Sequence, residues 1–418
     1  MQLKRVVVTG IGTINPLGNN ISEYFNNLDN GKSGASLITR FDASLFKTKF
    51  ACEIKDFDPE KHGIDRKEAR KLDLFAQYAL AATSEAISDS GINTETVDLD
   101  RVGVIVGSGI GGIETMFQEI KGYVEGGCTP RFSPFLIPKM IPDIAAGHIS
   151  MKYGFRGPNF TTVSACASST HAMTDAFNYI RLGKADIIVT GGSEAGISVP
   201  SIGGFNSAQA LSTNNENWQT ASRPFDKTRD GFVMGEGAAM LIFEEYEHAI
   251  ERGARIYAEV SGAGLSADAH HITAPHPEGL GALQVMKLAL EDAEFKPEDV
   301  DYINVHGTAT PLGDIAELKA VKSLFGEHAY KLNISSTKSM TGHLLGATGA
   351  VEALACIHAI NSGMVPPTIN FEHEDPEIDY KLNLTLNKAQ KREVNVAMNN
   401  TFGFGGHNSC IIFNKLKK

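Results

Sequence analysis

No apolar run in this sequence reaches the roughly 18 residues of a membrane span. Its N-terminus, MQLKRVVVTGIG, has only three valines after a Lys-Arg pair. That is too short for the apolar segment of a secretory signal, so the protein is expected in the cytosol and off the membrane. Only five of the 418 residues are cysteine: Cys52, Cys128, Cys166, Cys356 and Cys410, odd in number, far apart and without a CxxC pair. Neither a disulfide framework nor a zinc site is indicated, and each cysteine is by default a small buried apolar residue. Basic charge is scarce as well, with 38 Lys and Arg against 49 Asp and Glu and a net charge of −11. A broad nucleic-acid surface needs concentrated positive charge, so nucleic acid is not an expected partner.

GxxxxGK[ST] and GxSxG are also missing, and GGSEA at 191–195 departs from the nucleophile-elbow pattern at its last residue. GSGIGG at 107–112 does fit GxGxxG, whose glycines in a dinucleotide site let the backbone approach a pyrophosphate. The context then fails. After a helix-like stretch at 113–124 comes GGCTPRFSPF, with no second strand ending in a ribose-binding acid, so the segment reads as a tight strand-to-helix turn.

With 42% hydrophobic and 21% charged residues, the chain has the profile of a globular protein with a sizeable core. Short β-branched runs at 5–9, 102–106, 187–190 and 240–243 alternate with helical patterns such as 75–88 and 170–182, which indicates an α/β fold with largely buried strands. After about residue 255 the theme restarts. Residues 259–264 echo 8–12 as a strand entering a glycine-rich turn, and MGEGAAMLIF at 234–243 aligns without gaps on FGGHNSCIIF at 404–413. We read two related halves, 1–255 and 256–418, packed as one body with no Pro/Ser-rich linker.

Four segments carry chemistry. VSACASSTH at 163–171 sets Cys166 just before an amphipathic helical stretch, where the helix dipole and unpaired N–H groups favour a thiolate. NVHGTATPLGD at 304–314 and SSTKSMTGHLLGATG at 335–349 each follow a strand-like run and are dense in Gly, Thr and His where a core would be apolar. His306 and His343 are thereby placed on loops at strand ends, where α/β enzymes gather functional groups. NTFGFGGHNS at 400–409 is a glycine-rich turn able to expose backbone N–H groups as an oxyanion hole, while Phe402 and Phe404 screen the site from water. Any one of these has a bland structural alternative; together they favour a catalytic reading.

In combination the four segments resemble the Cys-His-His condensing enzymes of the thiolase-like superfamily. FDKTRDGFVMGEGA at 225–238 and PPTINFEHEDPEID at 366–379 are similar to its type II β-ketoacyl-[acyl-carrier-protein] synthase branch. The resemblance implies a thiolase-like fold, two duplicated βαβαβαββ halves forming a five-layer α-β-α-β-α core. It implies decarboxylative condensation of acyl- with malonyl-[acyl-carrier-protein], with Cys166 as nucleophile and the N–H groups of Cys166 and Phe404 as oxyanion hole. His306 and His343 would stabilise the enolate, and Lys338 paired with Glu352 would set the electrostatics of the site.

By the same resemblance Thr308 and Thr310 contact the pantetheine arm, and Ile110, Phe205 and Phe404 line or gate the acyl pocket. Lys67, Arg70 and Lys71, in RKEARKLD, form a basic patch for docking the acidic acyl carrier protein. A homodimer with Ile110 and Phe135 near the partner's acyl pocket is implied, and no resident cofactor, since substrates arrive on phosphopantetheine. Whether a metal is held is left open. The chemistry accounts for two histidines: loss of carbon dioxide supplies the carbanion directly and calls for hydrogen-bond donors, whereas a thiolase needs a basic cysteine in the turn that Gly405, Gly406 and His407 occupy here. A discrete polyketide-type ketosynthase stays open as an alternative. So does a non-condensing chain-length-factor-like subunit, although such subunits usually replace the cysteine.

Overall fold

The computed structural model describes residues 3–416. Ten strands are hydrogen-bonded in one series: Val6–Ile14 (β1), Val102–Gly107 (β2), Asn159–Thr162 (β3), Ile187–Glu194 (β4), Gly237–Glu245 (β5), Ala258–Ala267 (β6), Tyr302–Asn304 (β7), Asn333–Ser335 (β8), Val396–Gly403 (β9) and His407–Asn414 (β10). Their order is β8-β7-β9-β10-β6-β1-β5-β4-β2-β3. Read outward from the centre, β1, β5, β4, β2, β3 on one side match β6, β10, β9, β7, β8 on the other. The pairing senses match too: the two inner pairs of each half are antiparallel and the two outer pairs parallel. Within this series of strands the halves meet at β1 and β6, antiparallel over three residue pairs, Val6 with Val260 to Val8 with Ala258.

The repetition extends to side chains. Gly12 lies opposite Met240, and Gly264 opposite Cys410, which is the register that the alignment of 234–243 on 404–413 requires. Helix Leu74–Ser90 (α1) crosses so near Gly12 that a Cβ there would sit 2.2 Å from the Ala82 carbonyl oxygen. A Cβ on Gly264 would sit 2.2 Å from the Val285 oxygen. Asp89 accepts a bond from the Ile11 N–H at 3.0 Å, and Asp292 accepts one from the Ala263 N–H at 2.9 Å.

Helices Ser168–Arg181 (α2), Leu280–Ala293 (α3), Pro311–Phe325 (α4) and Thr348–Ser362 (α5) complete the layers. α1 covers the outer face of the first half, while α3, backed by α4, covers that of the second. α2 and α5 pack on each other and on strands of both halves, giving the order α-β-α-β-α. One apolar cluster surrounds the two middle helices, and two more lie under the outer helices. α5 is buried along nearly its whole length, so it is apolar almost all round and shows little amphipathic pattern.

The strands run longer than their β-branched cores indicate. β1 continues from Thr9 to Ile14 because its buried hydroxyls find partners: Thr9 Oγ1 donates to Glu244 at 2.7 Å and Thr13 Oγ1 to the Ala238 carbonyl at 2.8 Å. GSGIGG forms the strand-to-helix turn expected, with β2 ending at Gly107 and a helix running over Ile113–Glu125. No helix among the described residues is long and apolar enough to cross a membrane.

Candidate active site

Cys166 sits in the short 3-10 turn Ala165–Ala167, immediately before α2. Ala165 holds a left-handed φ of 51°, a strained setting for a residue with a Cβ. Ser168 Oγ ties the turn together, accepting from the Ser164 N–H at 2.9 Å and donating to the Ala165 carbonyl at 2.6 Å. Across from it the turn 403–406 joins β9 to β10. Gly403 presses on the cysteine turn: a Cβ there would lie 2.8 Å from the Ser164 oxygen and 3.1 Å from the Cys166 nitrogen. This contact sets the backbone N–H groups of Phe404 and Cys166 toward the Cys166 sulfur.

His343 reaches the same point from the second half. Its Nε2 lies 3.0 Å from Cys166 Sγ and its Nδ1 2.8 Å from Thr348 Oγ1 at the start of α5. The motif 225–238 holds the backbone of this histidine in place: its N–H donates to Val233 O at 2.8 Å, its carbonyl accepts from Gly235 N at 2.9 Å, and the Phe232 ring stands edge-on at 5.1 Å. His306 meets the His343 ring edge-on at 5.3 Å and Phe402 at 5.5 Å. Glu317 on α4 fixes the His306 loop by accepting from the N–H groups of His306 and Gly307, both at 2.9 Å.

Lys338 and Glu352 form a buried ion pair. Burial lowers both histidines well below the usual imidazole range, and the Lys338 charge pushes in the same direction, so both rings are neutral. The same cation also pulls Cys166 down, which for a thiol favours the charged form. Burial dominates there and pushes the thiol up to about 12, with Lys338 and the N–H groups of Phe404 and Cys166 only partly offsetting it. Burial thus works against the thiolate that the helix N-terminus favours, while the two backbone N–H groups and Lys338 work for it. Burial likewise raises Glu352 to about 7 against the pull of Lys338, and Glu317 to about 7 against its backbone donors.

Cys166, His306, His343, Phe205, Phe404, Thr308 and Thr310 all border one cavity of about 470 Å³. The two threonine hydroxyls are 3.1 Å apart on its wall. Ile110 stands beside rather than on that wall, packed with Phe205, Phe232 and Leu345 in an apolar cluster. Lys67, Arg70 and Lys71 are exposed and lie away from the cavity; Lys71 caps the Phe135 ring at 5.9 Å. No group of three or more His, Cys, Asp or Glu among the described residues is arranged to hold a metal. Thr348, Glu317 and Glu194 were not singled out from sequence. Thr348 lies within a segment already marked, five residues past His343, but Glu317 and Glu194 sit in ordinary helix and strand contexts that carry no local signal.

Residues 3–249 match the family model "Beta-ketoacyl synthase, N-terminal domain", and residues 257–372 match "Beta-ketoacyl synthase, C-terminal domain". The chain is 48% identical over 416 residues to the 3-oxoacyl-[acyl-carrier-protein] synthase 2 of Staphylococcus aureus strain COL, covering 100% of this chain and 99% of that one. It is 47% identical over 415 residues to the protein of the same name from a Synechocystis species, covering 99% of each. A solved β-ketoacyl synthase from Burkholderia phymatum superposes with a TM-score of 0.91 at 34% identity, over 99% of this chain and 100% of the other. The ishigamide ketosynthase/chain length factor superposes at 0.93 with 33% identity, over 99% and 100%. On these grounds the chain belongs to the β-ketoacyl synthase family.

Proposed function

We propose that this protein condenses acyl-[acyl-carrier-protein] with malonyl-[acyl-carrier-protein] to give 3-oxoacyl-[acyl-carrier-protein] and carbon dioxide, the elongation step of type II fatty acid biosynthesis. The observation that carries the reading is the meeting of Cys166 Sγ, two neutral histidines and two convergent backbone N–H groups at one cavity wall. Cys166 attacks the acyl thioester carbonyl; a carbon–sulfur bond forms, the oxyanion is held by the N–H groups of Cys166 and Phe404, and the carrier thiol leaves with a proton. Malonyl thioester then loses carbon dioxide, the electron pair of the broken bond passing into an enolate. The enolate carbon attacks the acyl group, and the Cys166 thiolate leaves and is reprotonated.

The histidines act as hydrogen-bond donors to the enolate oxygen. For His343 this is the tautomer with the proton on Nε2, its Nδ1 accepting from the Thr348 hydroxyl. Neutral rings suit that role, and burial keeps them so with the Lys338 charge adding to it. Thr308 and Thr310 hold the pantetheine arm, while Ile110, Phe205 and Phe404 shape the acyl end. Substrates come on the carrier's phosphopantetheine, so the chain's own residues supply all the chemistry. The repeated strand order supports reading 1–255 and 256–418 as duplicated halves.

Lys67, Arg70 and Lys71 dock the acidic carrier. A homodimer forms through the edge strand β3 and the exposed Val163 that follows it, with the exposed Phe135 and Ile137 as further apolar surface. Relatives named 3-oxoacyl-[acyl-carrier-protein] synthase 2 are nearly half identical over the whole chain, against 34% for a solved type II PKS ketosynthase, which favours the fatty acid role. Incubating the purified protein with acyl and malonyl carrier thioesters and following 3-oxoacyl product tests the reading; absence of product at every acyl length would refute it.

A further inference from the structure

The second half contains its own copy of the cysteine turn. Leu345–Ala347 is a 3-10 turn leading into α5 as Ala165–Ala167 leads into α2, and Leu345 repeats the left-handed φ of Ala165, 49° against 51°. Gly346 stands where Cys166 stands. Strand register makes Glu194 the counterpart of Gly403: Glu194 pairs with Gly237 in β5, and Gly403 with His407 in β10. In the first site Gly403 brings no side chain to the Cys166 N–H. In the second the Glu194 carboxylate fills that place, accepting from the Gly346 N–H at 3.0 Å.

The same carboxylate takes the N–H groups of GSGIGG. Gly109 donates to Oε2 at 2.7 Å, Ile110 and Gly111 to Oε1 at 3.1 and 3.3 Å, and Ser108 Oγ donates to Oε1 at 3.3 Å. The strand-to-helix turn that formally fits GxGxxG is thus a cradle whose anion is internal. Glu194 is fully buried; burial pushes its carboxyl up, and the four backbone donors oppose that. It joins two loops that both feed the apolar cluster beside the cavity, one carrying Ile110 and the other Leu345.

We propose that Glu194 is a positioning residue for acyl-chain selection, a built-in anion in the cysteine-free copy of the active-site turn that locks the Ile110 loop against the Leu345 loop. The inference rests on the condensing-enzyme reading. A short acyl chain is accommodated by the cavity as it stands, whereas a long one displaces Ile110 and Phe205, and the three amide bonds from Gly109, Ile110 and Gly111 to Glu194 set the cost of moving the loop that carries Ile110.

The test is acyl-enzyme formation on Cys166 from hexanoyl and hexadecanoyl carrier thioesters, with carbon dioxide release from malonyl carrier protein measured in parallel. Glu194→Gln leaves one acceptor for four amides. It should raise the hexadecanoyl-to-hexanoyl ratio of kcat/KM about tenfold, with carbon dioxide release held within about twofold. Ser108→Ala removes only the hydroxyl and should move the ratio in the same direction by less, which keeps the test open if Glu194→Gln fails to fold. Normal acylation by the wild-type protein with an unchanged ratio in a folded variant, or equal losses on both chains, would overturn the clamp alone. Wild-type protein that takes up neither chain would overturn the condensing-enzyme reading and the clamp's role with it.

Discussion

His343 and Cys166 come from opposite halves of the duplicated sheet, yet Nε2 and Sγ stand 3.0 Å apart. The proposed chemistry therefore depends on how the two halves seat on each other around α2 and α5.

Acylation is expected at Cys166 and nowhere else. Cys52, Cys356 and Cys410 are buried, and Cys128 is exposed but absent from the cavity wall, so it serves as an internal control. Peptide mapping after incubation with labelled acyl carrier protein checks this, and label on Cys128 would contradict it.

The two half-reactions should separate by mutation. His343→Ala should still take up an acyl group while losing carbon dioxide release by roughly two to three orders of magnitude, as on removing an oxyanion donor. Cys166→Gln should do the reverse. Both steps are measured independently, and normal decarboxylation by His343→Ala would require another account of the site.

The high thiol pKa gives a pH dependence of definite sign. The thiolate is the minor form throughout the neutral range, so alkylation of Cys166 in the free protein should rise about tenfold per pH unit from neutrality upward, without a plateau. Lys338→Met removes a charge that favours thiolate and should slow alkylation at every pH. Mass-spectrometric rates at the Cys166 peptide decide, and a plateau near neutral pH would show an activated thiolate.

Breaking the Lys338–Glu352 pair leaves a buried carboxylate without its cation, so Lys338→Met should lower stability by about 3 kcal/mol or more. Adding Glu352→Leu should recover most of that loss and none of the decarboxylation. Thermal melts and carbon dioxide assays on the two variants separate folding from electrostatics; recovered activity in the double variant would deny the pair its role.

Charge reversal of Lys67, Arg70 and Lys71 should raise KM for carrier-borne substrates and flatten its salt dependence while sparing a short pantetheine thioester. All three side chains are exposed, and Lys71 alone also contacts Phe135, so a fault confined to Lys71→Glu would point to packing instead. Light scattering at micromolar protein should report a dimer, and a monomer would remove the reason for the exposed Phe135, Ile137 and Val163.

What the sequence determined by itself lies in short contiguous stretches. A cysteine, two histidines and a glycine-rich turn each sit beside their own turn-forming residues, so local chemistry marks them. The duplication was legible because MGEGAAMLIF and FGGHNSCIIF keep one strand register, seen in Met240 over Gly12 and Cys410 over Gly264. The tertiary structure decided what depends on residues far apart in the chain. It brought Thr348 to His343 Nδ1, Glu317 under the His306 loop and Glu194 into the second cradle, none of which has a local pattern because a single acceptor in a strand or helix looks like any other. It also set burial against the thiolate that the helix N-terminus favours. A helix N-terminus is visible in sequence, but the desolvation that opposes the thiolate is set by how residues of both halves pack around the sulfur.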